Sequence, residues 1–436
     1  MAHATKAVQF LLSVAILFAC FMVNAEGPVL LPVWEARPKD LSLSEIDSRV
    51  QQIGYPRDKT PSSVARSLVT GLVTDFEKFF AIYRWVTVNI EYDVDAYFSG
   101  RVRDAAGSKS AYNRGQAVCD GYADLILEMG RSVGLQVEKV VGYGKGFSYV
   151  VGEQPKGTNH AWNAVMLDGK WYLSDATWDA GSVDRKTRKF VKNTKQLKYF
   201  LADPDLFLTS HFPKDQRWQL LKNPIDFSTF LGLAKIRPDI GFWDIDVSQY
   251  RQNEIHSKST PLVFNFGAKS PQLSAVLLKD GKKLDGVWAI SVGTESDRRL
   301  YVSAPQAGSY DLQVYARRNA NDSVSQLILE YKLKFDQVDQ FTQGFPEQFR
   351  RYFDNNVIIS MPLQGVLAQR QAAKFQVSVE GASEVILIQD GKKLLTLSRI
   401  GEDFVGEVTP TIGELLLSAK FGSDTKYLGL LRYKIE

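Results

Sequence analysis

A heptapeptide that occurs twice places the strongest constraint on what this chain can fold into. Leu278-Lys279-Asp280-Gly281-Lys282-Lys283-Leu284 returns as Ile388-Gln389-Asp390-Gly391-Lys392-Lys393-Leu394, 110 residues later. Tyr331-Lys332-Leu333 likewise returns as Tyr433-Lys434-Ile435, 102 residues later. Asp-Gly between apolar-rich runs signals a two-residue hairpin turn, because both central positions need positive φ. A period of about 100 residues, with short β-type runs between turns, matches tandem β-sandwich domains. The C-terminal half is therefore expected to form two all-β sandwiches, over residues 236–338 and 345–436. It contains no cysteine, so neither sandwich carries a disulfide between its sheets.

The N-terminal half mixes helical and extended periodicity. Ser42 to Ile53 reads as a short helix, with Ser42 and Glu45 spaced as a capping box and Gly54 after its end. A longer helix starts at Thr74, boxed by Glu77, and keeps Phe76, Phe79, Phe80, Tyr83 and Val86 on one face as far as about Ile90. Residues 97–115 are polar, rich in Gly and Ser, and carry Arg101, Arg103, Lys109 and Arg114. They read as a loop, either a solvated connection or a mobile flap over substrate. Val137 to Val141 reads as a strand. Gly142-Tyr143-Gly144-Lys145-Gly146 reads as a turn, since it lacks the strand–loop–helix setting of a phosphate-binding loop. Residues 195–221 read as helical and aromatic.

The chemistry centres on Gly115-Gln116-Ala117-Val118-Cys119-Asp120-Gly121-Tyr122-Ala123. Only Cys20 and Cys119 are cysteines, and Cys20 lies in an apolar N-terminal run. From Cys119, the residues Tyr122, Leu125, Ile126, Met129 and Val133 recur at helical spacing, and Gly134 stands where the helix would end. Cys119 thus falls in a first helical turn, where open backbone N–H groups and the helix dipole favour an anion. A thiolate is the nucleophilic form of cysteine. Free cysteine is equally at home as a small buried apolar residue, so its neighbours decide.

His160-Ala161-Trp162-Asn163-Ala164-Val165-Met166-Leu167-Asp168-Gly169-Lys170-Trp171-Tyr172-Leu173-Ser174-Asp175 supplies them. A two-residue Asp168-Gly169 turn puts Leu167 opposite Lys170 and, counting outward, Trp162 opposite Asp175. His160 shares the face of Trp162, so His160 and Asp175 become diagonal cross-strand neighbours. A slip of one residue would put Ser174 or Ala176 there instead. A thiol at a helix start, a histidine to move its proton and a carboxylate to orient that histidine are the parts of thiol acyl transfer. Alone, His160 reads as a satisfied core histidine and Asp175 as a turn or cap residue. Asp179 is a rival orienting carboxylate. The Cys119 backbone N–H is one candidate oxyanion donor, and Gln116 is a candidate for the second.

Residues 1–25 resemble a secretory signal: Lys6, an apolar run from Val8 to Val23, then Val23-Asn24-Ala25 before Glu26. Cleavage after Ala25 is expected. The alternatives are a retained N-terminal anchor or a lipoprotein-like box at Leu17-Phe18-Ala19-Cys20. The expected location is secreted or periplasmic, with no membrane span in the mature chain. The formal charge of +4, with no basic block, gives no ground for nucleic-acid binding. The four histidines, His3, His160, His211 and His256, show no metal-ligand spacing, and no metal or organic cofactor is expected.

Cys119-Asp120-Gly121-Tyr122-Ala123, His160-Ala161-Trp162-Asn163 and Asp175-Ala176-Thr177-Trp178-Asp179 together resemble the transglutaminase-like superfamily, a papain-related α+β fold. His211-Phe212-Pro213 and Trp218-Gln219-Leu220-Leu221 are similar to its kyphoscoliosis peptidase branch. Gly308-Ser309-Tyr310-Asp311-Leu312 resembles the tyrosine-corner strand of immunoglobulin-like domains. The resemblance implies Cys119 as nucleophile, His160 as base and Asp175 as the third member. It also implies a multidomain plan: a leader (1–25), a linker with short helices (26–73), an α+β transglutaminase-like catalytic core (74–225), then two immunoglobulin-like sandwiches. The expected activity is hydrolysis of peptide or amide bonds through a thioester. The alternatives are protein-glutamine acyl transfer by the same triad, or a scaffold without catalysis. The expected partners are a protein or peptide substrate and a cell-surface or protein ligand on the β-domains.

Overall fold

A computed structural model describes residues 43–436, except 103–105, 151–153, 185, 193–196, 238–239, 241–244, 268–271, 294–296, 318–324 and 423–424. The leader and the Pro-rich stretch before Leu43 lie outside the described residues, as does Ser42 of the first capping box.

Helices α1 (Leu43–Ile53), α2 (Pro61–Val69) and α3 (Asp75–Asn89) begin the core. The capping box at α3 is formed: Thr74 Oγ1 accepts from Glu77 N at 3.2 Å, and Glu77 Oε2 accepts from Thr74 N at 2.7 Å. Helix α2 is an addition to the elements expected from periodicity, yet its start is chemically marked. Thr60 caps it through Ser63, and Pro61 opens it, where a missing N–H costs nothing. Phe76, Phe79, Phe80 and Tyr83 of α3 pack around Phe200, with ring centroids 4.9–5.9 Å away. They share one buried cluster with Tyr122, Leu125, Ile126 and Met129 of helix α6 (Cys119–Arg131).

The stretch 97–115 is a loop only in part. It contains the second half of α4 (Val94–Ser99) and all of α5 (Ser108–Arg114). Asp93 caps α4 by accepting from Ala96 N at 2.8 Å, and Gly100 and Gly115 end the two helices at φ 73° and 67°. These glycines are helix terminators rather than marks of a flexible loop, and they use the left-handed conformation that glycine adopts freely. Strands β1 (Glu91–Tyr92) and β2 (Gln116–Ala117) then pair in parallel just before Cys119.

Four strands, β3 (Val137–Gly144), β4 (His160–Leu167), β5 (Lys170–Ser174) and β8 (His211–Pro213), form a sheet of order β5-β4-β3-β8. Between β5 and β8 lie helix α7 (Ala176–Ala180), strands β6 (Gly181–Val183) and β7 (Phe190–Lys192), and helix α8 (Pro204–Phe207). Asp168 and Gly169 take φ 48° and 79°, so the hairpin closes with Leu167 opposite Lys170 and Asn163 opposite Ser174. This is the register counted from the Asp-Gly turn.

Gly142, Tyr143 and Gly144 continue β3 rather than forming a turn. They stand between His160 of β4 and residues 211–213 of β8. Their glycines serve close approach: a Cβ on Gly142 would stand 2.2 Å from the Phe212 carbonyl oxygen. Residues 197–221 are likewise not continuously helical; they hold only the four-residue α8, β8 and a single 3₁₀ turn (Gln216–Gln219). Their aromatic residues cover the second face of the sheet, where Tyr199, Phe207 and Trp218 pack with Val140, Trp162 and Leu173. The aromatic density of this stretch reflects burial against a sheet, not a helix.

After helix α9 (Phe227–Gly232) and strand β9 (Lys235–Ile236) come the two immunoglobulin-like sandwiches. In each, a long strand (272–279 or 382–389) turns at Asp-Gly, with φ 52° and 73° in the first copy and 51° and 74° in the second. In each, a short strand joins the last long strand in parallel, 254–257 on 332–335 and 366–367 on 434–435. The sequence repeat is thus a repeat of topology. Tyr310 closes a tyrosine corner, donating to the Gln306 carbonyl at 2.8 Å. Among the described residues, no helix is long and apolar enough to cross a membrane.

Candidate active site

Cys119 is the first residue of α6, partly exposed, on the wall of a cleft of about 780 Å3 that it shares with His160. Its N-cap is Val118, which makes no side-chain cap bond. A serine or aspartate there would occupy the first-turn N–H groups, whereas valine leaves them open. Asp120 follows the thiol directly, but its carboxylate pairs with Lys139 Nζ at 2.5 Å, and Asp124 joins at 2.9 Å. The negative charge beside Cys119 is thereby offset in part.

His160 opens β4 and is buried. Its Nε2 lies 2.7 Å from Asp175 Oδ2, which leaves Nδ1 as the nitrogen available to the Cys119 thiol it pairs with. Burial disfavours the imidazolium, but the Asp175 carboxylate and the Cys119 sulfur more than compensate and raise the His160 pKa to about 10. Gly144 makes room for the ring, since a Cβ there would stand 2.9 Å from His160 Cβ and 3.1 Å from Cδ2. Trp178 stacks on it with centroids 5.1 Å apart.

Asp175 caps α7, and all of its acceptor capacity is used. Oδ1 accepts from Thr177 N at 2.8 Å and Trp178 N at 3.3 Å. Oδ2 receives His160 and, from the opposite side, His211 Nε2 at 3.1 Å. The group is fully buried, which favours the neutral acid. The two histidines outweigh that and hold its pKa below the usual carboxylate range.

His211 has no role assigned by sequence. It is brought in by β8, stacks on Phe207 at 4.0 Å and has its Nδ1 2.9 Å from Ser210 Oγ. Burial, with His160 adding to it, lowers its pKa to about 4 against the pull of Asp175. A neutral His211 is therefore a donor to Asp175 and never a competing cation near neutral pH. The only sequence signal for it is its place in the His-Phe-Pro stretch.

The rival carboxylate, Asp179, is engaged elsewhere. It accepts from Tyr83 Oη at 2.6 Å, Lys198 N at 2.7 Å and Tyr199 N at 3.1 Å, tying the segment after 197 to α3. Gln116 is exposed on β2 and is not among the described residues lining the cleft. The structure thus brings Cys119, His160 and Asp175 together, adds His211 and leaves Gln116 aside.

His160, Asp175 and His211 also offer three ligand atoms within 4.8 Å of one another. Separations of 2.7 and 3.1 Å from Oδ2 suit a hydrogen-bond chain. Two ligands of one tetrahedral zinc at ~2.1 Å would stand about 3.4 Å apart. Residues that fit each other this closely do not fit a shared ion.

Residues 62–176 match the model of the transglutaminase-like superfamily, and residues 252–346 match a KY-like immunoglobulin-like domain. The chain is 32% identical over 323 residues to "Kyphoscoliosis peptidase" of Mus musculus, covering 73% of this chain and 47% of that protein. Its likeness to "Kyphoscoliosis peptidase" of Homo sapiens is 32% over 309 residues, 66% of this chain and 43% of that one. It is 26% identical to "Hillarin" of Drosophila melanogaster over 212 residues, 45% of this chain and 25% of that one. The chain spans about half the length of the two kyphoscoliosis peptidases.

Proposed function

This chain belongs to the transglutaminase-like superfamily, on the kyphoscoliosis peptidase branch, and we propose that it is a thiol enzyme hydrolysing peptide or amide bonds through a thioester. The observation that carries the reading is the Cys119–His160–Asp175 chain opening into a cleft, with His160 held protonated beside the thiol.

The Cys119 thiolate attacks the substrate carbonyl carbon. The oxyanion that forms lies against the open N–H groups at the start of α6. As the tetrahedral intermediate collapses, the carbon–nitrogen bond breaks and the leaving amine takes the proton from His160. A water then gives a proton to His160 and attacks the thioester, releasing acid and restoring the ion pair. Asp175 holds the ring in one orientation and stabilises its positive charge, while His211 holds Asp175. If an amine replaces water in the second half, the same residues perform acyl transfer from glutamine.

The test is incubation of purified protein with a labelled amine and a glutamine-containing protein, read by mass spectrometry. Cleavage or deamidation that incorporates oxygen from heavy-oxygen water supports hydrolysis. Amine incorporation with ammonia release and no cleavage assigns transfer instead. Turnover that survives in Cys119→Ala overturns thiol chemistry altogether. Export is proposed from residues 1–25, and an intact Met1 on protein recovered from the producing cells would refute cleavage after Ala25. The immunoglobulin-like domains are proposed to present the catalytic core to a protein partner.

A further inference from the structure

The first immunoglobulin-like domain is bound to the catalytic core as a wall of the cleft. Thr209 Oγ1 donates to the Ile236 carbonyl at 2.8 Å, and Arg251 pairs with Asp205. Lys145 is buried and extends from the end of β3 to the carbonyls of Phe230 and Leu233, at 2.7 and 2.6 Å. Ile236 of β9, which joins the sandwich strand Gln326–Phe335, is fully buried. The cleft holding Cys119 is consequently lined on one side by the core and on the other by residues 235–237 and 325–330.

The two walls differ in chemistry, and the site lies between them. On one side Phe190 packs on Tyr92 at 6.4 Å, and Tyr92 on Tyr97 at 5.9 Å. The Tyr92 hydroxyl is held neutral first by burial and then by the nearness of Cys119. Next come the thiol and His160, and then Trp178 stacked on that imidazole. Beyond the indole, Lys235 Nζ stands 5.6 Å over the Trp178 ring. Lys198 and Arg237 flank it, bonded to Gln326 Oε1 at 3.2 Å and the Leu327 carbonyl at 3.1 Å. Among the described lining residues outside the Cys119–His160 pair, Glu330 is the single acid against these three cations. The order along the cleft is therefore aromatic, thiol, imidazole, indole, cation.

We propose that this cleft takes an extended polypeptide whose reacting residue is flanked by an apolar or aromatic side chain toward Tyr92 and Phe190 and by an acidic side chain toward Lys235. The inference rests on the thiol chemistry proposed above, and it assigns specificity to residues supplied by the domain junction. Lys235, Lys198 and Arg237 are specificity determinants and take no part in bond making. A carboxylate entering between the walls gains a cation held over the indole, whereas a lysine or arginine side chain meets like charge.

The test reads the cleft without requiring turnover. In a Cys20→Ser background, Cys119 is labelled with anionic sulfonatoethyl methanethiosulfonate and with its cationic trimethylammonioethyl counterpart. The anionic-to-cationic rate ratio is expected to fall by about threefold or more in Lys235→Glu and in Lys198→Glu, the size of effect a nearby reversed charge has through screened solvent. Lys282→Glu, on a distant sandwich turn, makes the same change of net charge and should leave the ratio alone. An unchanged ratio in both cleft variants, or an equal fall in Lys282→Glu, overturns the proposal. A peptide panel is the second arm. A preference of about tenfold or more for peptides with an acidic neighbour, lost in Lys235→Glu, supports it, and equal turnover of acidic and basic peptides overturns it. If no peptide is turned over while the labelling ratio shifts as expected, the catalytic reading fails and the polarity of the cleft stands.

Discussion

Replacing His211 with glutamine tests the electrostatic arrangement behind the site. His211 is buried and neutral, with its pKa lowered to about 4, whereas an unfolded histidine titrates at about 6.5. Between those values the unfolded chain binds the proton and the folded protein does not. The contribution of His211 is therefore complete above about pH 6.5 and disappears as the pH falls through about 4. At roughly 1.4 kcal/mol per pH unit, wild-type protein should lose about 2 kcal/mol from this group between pH 7 and pH 4.5. Asp175 stays outside that window, while His160 gives up part of its contribution at the pH 7 end in wild type and variant alike, so it drops out of their difference. Asp175, with its pKa lowered, loses its contribution only as the pH drops below the ordinary carboxylate value. His160, raised to about 10, keeps its contribution below about 6.5 and loses it as the pH climbs through about 10. Glutamine keeps a donor for Asp175 but does not titrate. At pH 7 the variant should be less stable by about 1–2 kcal/mol, from the weakened bond to a charged acceptor and poorer stacking on Phe207. At pH 4.5 that gap should close or reverse. Urea titration read by hydrogen exchange at the amides of residues 160–167 measures it locally, so the other domains do not enter. A gap that stays constant between the two pH values would refute a neutral His211.

Three further substitutions probe the geometry. Asp175→Asn should lower kcat/KM by on the order of a thousandfold, because an amide presents the wrong partner to His160; a loss of under about tenfold, measured on a peptide the wild-type protein turns over, would deny Asp175 its orienting role. Gly144→Ala puts a methyl 2.9 Å from His160 Cβ and should displace the ring, slowing iodoacetamide labelling of Cys119 while thermal unfolding moves only a few degrees; unchanged labelling would mean the strand yields instead. Tyr310→Phe removes the corner bond to Gln306 and should cost about 1 kcal/mol in urea unfolding of the first sandwich, with Cys119 labelling unaffected; a loss of labelling would tie that corner to the cleft.

Whatever depends on neighbours a few residues apart is legible in the amino-acid sequence. The Thr74–Glu77 box, the Asp168-Gly169 turn and the repeated Asp-Gly turns are local solutions for backbone groups, so their register follows from counting. Counting outward from Asp168-Gly169 is enough to bring His160 and Asp175 to one face, and their side chains meet there. Contacts between distant segments are settled only by the folded chain. His211 reaches Asp175 because β8 joins the edge of β3, a pairing that no period announces. Gly142 and Gly144 read as a turn because glycine serves turns and close approach alike, and only the presence of Phe212 and His160 separates the two. The cationic wall is the furthest from local reading. Lys235 lies 116 residues from Cys119 in the chain and faces the same cleft because β9 is anchored in the first sandwich while Lys145 and Thr209 fasten that junction to the core. Short-range hydrogen bonding specifies the elements, and the burial of apolar faces against one another selects which of their polar residues meet.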